Sequence, residues 1–188
     1  MSYELRHVYL SVKSLHTDPT RRGLVSLGLY DDTGLSYYAI NADMDTYRVY
    51  THVERDGTFW LRDHVWRHLP TLDRPDRLDF AHPDVKPFAQ IREEVALYFT
   101  TDREPHVYAY EGDDDMIRLW SLWNNDRLST PSTIPTWHWD LRAEQFRAGD
   151  PELPPHPGRP HHALDDARHD RLIHQFLLNA GQTCGASR

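Results

Sequence analysis

In the stretch HHALDDARHD, residues 161–170, two histidines stand at the mouth of a helix and two adjacent aspartates follow within its first turns, delivered by the proline-rich loop PELPPHPGRP. At about 100° per residue, His162, Asp166, His169 and Ile173 fall along one row with Leu177 close by, which sets Asp166 at the edge of a buried stripe. A carboxylate there is costly to desolvate unless it is paired or ligates a metal. The spacing admits several readings. Asp165 and Asp166 can simply complement the positive end of the helix, at about 0.3–1 kcal/mol each. His162, Asp166 and His169 can form a transition-metal face. A second acidic turn, YEGDDDMIRLW, adds a third reading by placing Asp115 at the start of a helix just beyond a core strand. Two carboxylates so presented can share a divalent ion, and a nearby histidine can take a proton from metal-bound water.

The elements that position these residues follow from periodicity. HVYLSV alternates, with Val8, Leu10 and Val12 on one side and His7, Tyr9, Ser11 and Lys13 on the other, the period of a strand. GLVSLGLY and LSYYAIN repeat that pattern, and Asp31 to Gly34 read as a hairpin turn between them. Three antiparallel strands therefore open the chain. FWLRDHVWRHLP reads as a short helix ending near Pro70, and DRPDRLDFAHPDV as a loop. Pro87 suits the first turn of a helix in which Phe88, Ile91, Val95, Tyr98 and Phe99 recur at helical spacing. HVYAY is a short strand; the helix after GDDD is expected to bury Ile117, Trp120 and Trp123. TWHWDL reads as a further strand, followed by a short helix through Phe146. Five prolines between 151 and 160 make an extended loop, and residues 163–180 form the last helix. The order predicts an α/β fold, a mixed sheet covered by helices. One domain is expected over residues 1–180, with a polar tail over 181–188.

Bulk properties narrow the classes. A chain of 188 residues with 39% apolar and 12% aromatic residues can fill a substantial core. The mean hydropathy of −0.73 and the absence of an apolar run of about 18 residues speak against a membrane span. MSYELRHVYLSVKSL lacks the basic segment and apolar block of a signal peptide, so the cytoplasm is the expected location. A lone cysteine, Cys184, excludes an internal disulfide and a multi-cysteine zinc site. The formal charge of −8 argues against broad, passive binding to nucleic acid, though not against an acidic, metal-loaded cleft.

HHALDDA, with histidine followed after four residues by aspartate, resembles the third motif of DEDDh-type 3′-5′ exonucleases. The likeness extends through GLVSLGLYDDTGLSYYAINADM, HVWRHLP, YAYEGDDDMIRLWSLW and STIPTWHWDLR, and is nearest to the small bacterial 3′-5′ exoribonucleases of mycobacterial type. The resemblance implies a ribonuclease H-like fold, Asp115 as the second-motif aspartate, His161 as general base and Asp166 as the last metal ligand. It also implies Mg2+ or Mn2+ at Asp115 and Asp166 and the 3′ end of single-stranded RNA as partner, and it leaves a homodimer open. Family members carry an Asp-x-Glu pair on the first strand. Here VYLSVKSL places either Val12 and Ser14 or, one residue earlier, Ser11 and Lys13 at those positions, and neither register supplies a carboxylate. Asp18, Asp113, Asp114 and Asp165 are the candidate replacements, and a Lys13 ammonium pairing with Asp115 or Asp166 is the alternative source of charge. Metal-dependent hydrolysis is therefore expected to be weakened or lost. The other expectation is an inactive interaction or dimerisation module, for which Trp120, Trp123, Trp137 and Trp139 are the candidate contact residues.

Overall fold

The computed structural model describes residues 4–185, with side chains described through residue 179. Strands β1 (Leu5–Ser14), β2 (Leu24–Asp31) and β3 (Ser36–Asn41) run antiparallel in succession, as the alternation predicts. Three further strands, β4 (Val85–Lys86), β5 (Glu104–Ala109) and β6 (His138–Asp140), each pair in parallel with a neighbour. The sheet order is β4-β3-β2-β1-β5-β6, which makes β1 a central strand whose two faces are both covered.

Alternation along β1 sends its residues into two different environments. Val8, Leu10 and Val12 pack with Leu27 and Leu29 beneath helices α2 (Phe88–Phe99) and α3 (Asp113–Ser121). Tyr9 faces the other way and packs with Tyr108 against Ala167, Ile173 and Leu177 of the long helix α5 (Ala163–Gly185). Gly28 of β2, paired with Ser11, lies where α5 crosses the sheet. A Cβ there would come within 2.4 Å of the Ala163 and Leu164 backbone, so only glycine admits the helix so close.

Several expectations are corrected. All five apolar residues singled out in α2 are buried; in α3 Trp120 packs against the core and Trp123 just beyond the helix is buried, as expected, but Met116 and Leu119 are buried in place of Ile117, which is 49% exposed. That phase aims Asp115 at β1. Between β3 and β4 the chain forms a short helix α1 (Thr46–Thr51) that periodicity does not reveal, since only Val49 in it is buried. The helix expected in FWLRDHVWRHLP is a π-helical turn over Leu61–Val65 followed by a 3-10 turn over Trp66–His68. A compact helix α4 (Leu141–Arg147) follows β6, and α5 runs past residue 180 to Gly185. The side chains of residues 180–188, Cys184 among them, lie outside the described residues. No helix among the described residues is long and apolar enough to cross a membrane.

Candidate active-site cleft

Asp115, His161 and Asp166 converge on one cleft of about 590 Å³ at the C-terminal end of β1, bounded by α3, α5 and the proline-rich loop. Each arrives by a separate local device. Gly112 begins α3 without a side-chain cap, and a Cβ on it would lie 2.3 Å from that of Ala109; this close approach lets the helix start directly at the end of β5. Asp113 and Asp114 then face outward while the Asp115 carboxylate accepts from the backbone N–H of Val12, 3.1 Å away. Burial pushes the Asp115 carboxyl up to about 7, against the opposing pull of the Lys13 ammonium.

His161 adopts a left-handed backbone, φ 68°, a conformation in which histidine is several-fold enriched among non-glycine residues. The turn brings its N–H to 3.0 Å from Asp166 Oδ1. Its ring lies edge-on to Trp60 and His64, with centroids 5.0 and 5.3 Å away. Burial lowers the pKa of His161 from its ordinary value, which favours the neutral ring.

Asp166 is held on both oxygens. Its Oδ1 also contacts His156 Nε2 at 2.9 Å, and its Oδ2 lies 2.7 Å from the Lys13 ammonium, with only 15% and 18% of the two side chains exposed. Lys13 in turn donates to Ser11 Oγ at 2.9 Å. By these contacts the side chains of Ser11 and Lys13, on the Tyr9 side of β1, face the cleft. Val12 belongs to the core on the opposite face and contributes its backbone N–H.

Two cleft residues were not singled out from the sequence. His156 lies in the proline-rich loop, where no periodicity aims it. Asp170 is one helical turn beyond Asp166; it is buried, and burial together with the neighbouring Asp115 raises its carboxyl well above the usual carboxylate range. The i, i+4 spacing from Asp166 was its available signal.

Of the four candidate carboxylate replacements, Asp114 lines the cleft and Asp18, Asp113 and Asp165 do not. Asp18 caps Thr20 and pairs with Arg48 at 2.7 Å, while Asp165 pairs with Arg159 and Arg168. Asp114 lines the rim beside His16, and the exposed Asp113 lies 3.5 Å from His138. The transition-metal face is not assembled either. His162 turns away from Asp166, packs its ring 4.4 Å from that of Tyr38, and is pushed down to about 4 by burial. His169 Nε2 instead contacts the Pro154 carbonyl at 2.9 Å.

No protein-family model matches the chain. Two curated relatives, the 3′-5′ exoribonucleases MT2234.1 and Rv2179c from two strains of Mycobacterium tuberculosis, are each 31% identical over 164 residues, covering 86% of this chain and 87% of theirs. The chain belongs to the 3′-5′ exoribonuclease family. Among solved structures, product-bound exonuclease I superposes with a TM-score of 0.59 at 10% identity over 94% of this chain. An E. coli exonuclease I complex with a dA16 oligonucleotide gives 0.54 at 11% identity, also over 94%. At that identity the likeness establishes the fold, which is ribonuclease H-like. This chain spans 44% and 41% of those two chains, less than half of either.

A divalent cation pair of the kind the family resemblance implies does not fit these residues. A monovalent ammonium already contacts Asp166, β1 offers a hydroxyl and an amine but no carboxylate, and no group of three metal-ligating side chains is assembled among the described residues. What the cleft offers instead is a set of fixed donors and acceptors beside an aromatic wall.

Proposed function

We propose that this exoribonuclease-family chain takes the 3′ end of single-stranded RNA into the cleft and holds it without metal-dependent hydrolysis. The observation that carries the reading is the pair Ser11 and Lys13, an uncharged and a cationic side chain facing Asp115 and Asp166. In two-metal hydrolysis, cations stabilise both the attacking and the leaving oxygen, and carboxylates offset most of their charge. With the first-strand pair gone, that compensation is missing. RNA binding is supported by family membership and by the cleft itself, whose lining includes the rings of Trp60 and His161, aromatic groups of the kind against which a terminal base packs. The net charge of −8 favours recognition of an end within the cleft over tracking along a phosphate backbone. This activity belongs to one domain over residues 1–180 acting in the cytoplasm.

A 5′-labelled single-stranded RNA tests the reading directly. Retention in EDTA, with no shortening in Mg2+ or Mn2+, is the expected result. Shortening that needs Mn2+ and is abolished by Asp115→Asn overturns it, and would mean that the remaining acids suffice for catalysis.

A second reading, an interaction or dimerisation module, is favoured by Trp137 and Trp139 at the β6 edge of the sheet, which are 47% and 39% exposed. Trp120 and Trp123, by contrast, pack against the core. A chain that retains no RNA but whose sedimentation changes on Trp137→Ala or Trp139→Ala supports this second reading.

A further inference from the structure

Losing a metal site by mutation would ordinarily leave acids facing one another across an empty cleft. Here Asp115, Asp166 and Asp170 line the same cleft, and such a group is costly unless something positive lies among its members. The Lys13 ammonium fills that position. It reaches Asp166 Oδ2 at 2.7 Å and Ser11 Oγ at 2.9 Å, so both side chains at the positions of the missing pair are used. Its influence extends beyond the contact, opposing ionic repulsion at Asp115 and at Asp170. The remaining oxygen of Asp166 is occupied by His156 Nε2 and the His161 N–H, at 2.9 and 3.0 Å.

We propose that Lys13 is a resident cation, a covalently attached substitute for the divalent ion between β1 and α5, which holds the acidic cleft together and excludes metal from it. The inference rests on the reading of this cleft as one without metal-dependent hydrolysis, and it specifies which side chain replaced the ion. Two consequences separate it from an ordinary ion pair. A divalent ion contacting Asp166 would sit beside the ammonium and be repelled, so the native chain should ignore Mn2+. Removing the ammonium while keeping the acids should create a demand for a cation that the native chain lacks.

The experiment measures thermal midpoints of the full chain in EDTA and in Mn2+, with Mn2+ binding followed by calorimetry. Wild type and Lys13→Arg, which keeps the charge, are expected to show the same midpoint in both conditions. Lys13→Met, neutral and similar in length, should unfold earlier in EDTA and recover part of that loss in Mn2+, because an ion that binds only the folded chain raises its stability. Ser11→Asp with Lys13→Glu, which rebuilds the acidic pair in the register observed, should gain at least tenfold in Mn2+ affinity over wild type. If the rebuilt pair does not fold, Lys13→Met carries the same test alone. The proposal is overturned if wild type binds Mn2+ as tightly as the rebuilt pair, or if no folded variant lacking the ammonium gains Mn2+ affinity. These readouts contain no RNA, so failure of the RNA reading, seen as no retention by wild type, remains a separate result.

Discussion

Across the cleft, β1 and α5 carry charge unequally. On α5 the acids are present: Asp166 collects the His161 N–H, His156 and Lys13, and Asp170 follows one turn later beneath it. On β1 the packing is equally tight, with Val8 and Leu10 fully buried, and the ladder to β2 shifts register only between Lys13 and Ser14, yet its cleft-facing side chains, Ser11 and Lys13, include no acid. A strand can lose its chemistry without losing its place because alternation separates the two jobs. Val8, Leu10, Val12 and, on the other face, Tyr9 hold it in the core, while Ser11 and Lys13 supply the polar groups that face α5. On α5 one helix face does both jobs, since Asp166, Asp170 and Ile173 share a row with the apolar residues that dock it.

The largest break in that comparison is expected where β2 supports α5. Gly28→Ala places a Cβ 2.4 Å from the backbone of Ala163 and Leu164, atoms that cannot yield by a side-chain rotation. A loss of about 3 kcal/mol or more is predicted from overpacking, read as a shift in the urea midpoint, and the cleft should be lost with it. An unshifted midpoint would mean that α5 does not depend on this crossing.

Next in size is Asp166→Ala, which strands the Lys13 ammonium. Breaking a buried pair costs about 3–5 kcal/mol; because both partners keep some access to solvent, at 15% and 18% exposed, about 2–3 kcal/mol is expected. The same denaturant series on Asp165→Ala sharpens the comparison. Asp165 is itself buried, but its partners Arg159 and Arg168 are about half exposed and stay solvated without it, so a loss of about 1 kcal/mol is expected there. Equal losses would mean that the cleft pair is no different from one whose cations reach solvent.

A third test uses acid. His174 of α5 accepts or donates with Tyr9 of β1 at 3.0 Å and stacks on Tyr108 at 4.1 Å. Burial pushes its pKa from 6.5 down to about 4. Between those values the unfolded chain binds a proton that the folded chain does not, so the contribution of His174 to stability should fall as pH drops from 6.5 towards 4, opposite in sign to that of the raised Asp115 carboxyl. His174→Phe should flatten this acid branch by about 3 kcal/mol, measured as unfolding free energy against pH. A branch unchanged in the variant would place the acid sensitivity elsewhere, His162 being the other strongly lowered histidine.

The smallest effect expected is Ser11→Ala. It removes the oxygen that accepts from Lys13 but leaves the ion pair, and about 1 kcal/mol is the ordinary contribution of such a bond. A loss matching that of Asp166→Ala would show that Ser11, not Asp166, is the main anchor of the ammonium.

Local periodicity determined a large part of this molecule. Alternation placed three antiparallel strands at the start, helical spacing placed all five buried residues of α2, and HHALDDA announced the start of α5 with His161 and Asp166. The absence of acids from VYLSVKSL was also legible, because absence of a residue type needs no geometry. Long-range packing decided the rest. Alternation says that Ser11 and Lys13 share a face, but only the docking of α5 across Gly28 shows that this face is the cleft and not the core. Composition could not set the phase of α3, where Met116 rather than Ile117 turned inward, since both are apolar neighbours and the choice falls to the sheet beneath. His156 comes from a loop with no period at all, and its approach to Asp166 exists only once the chain has closed around α5. Sequence spacing constrains residues that share an element; residues brought together from different elements are constrained by the interfaces between them, and those form only in the folded chain.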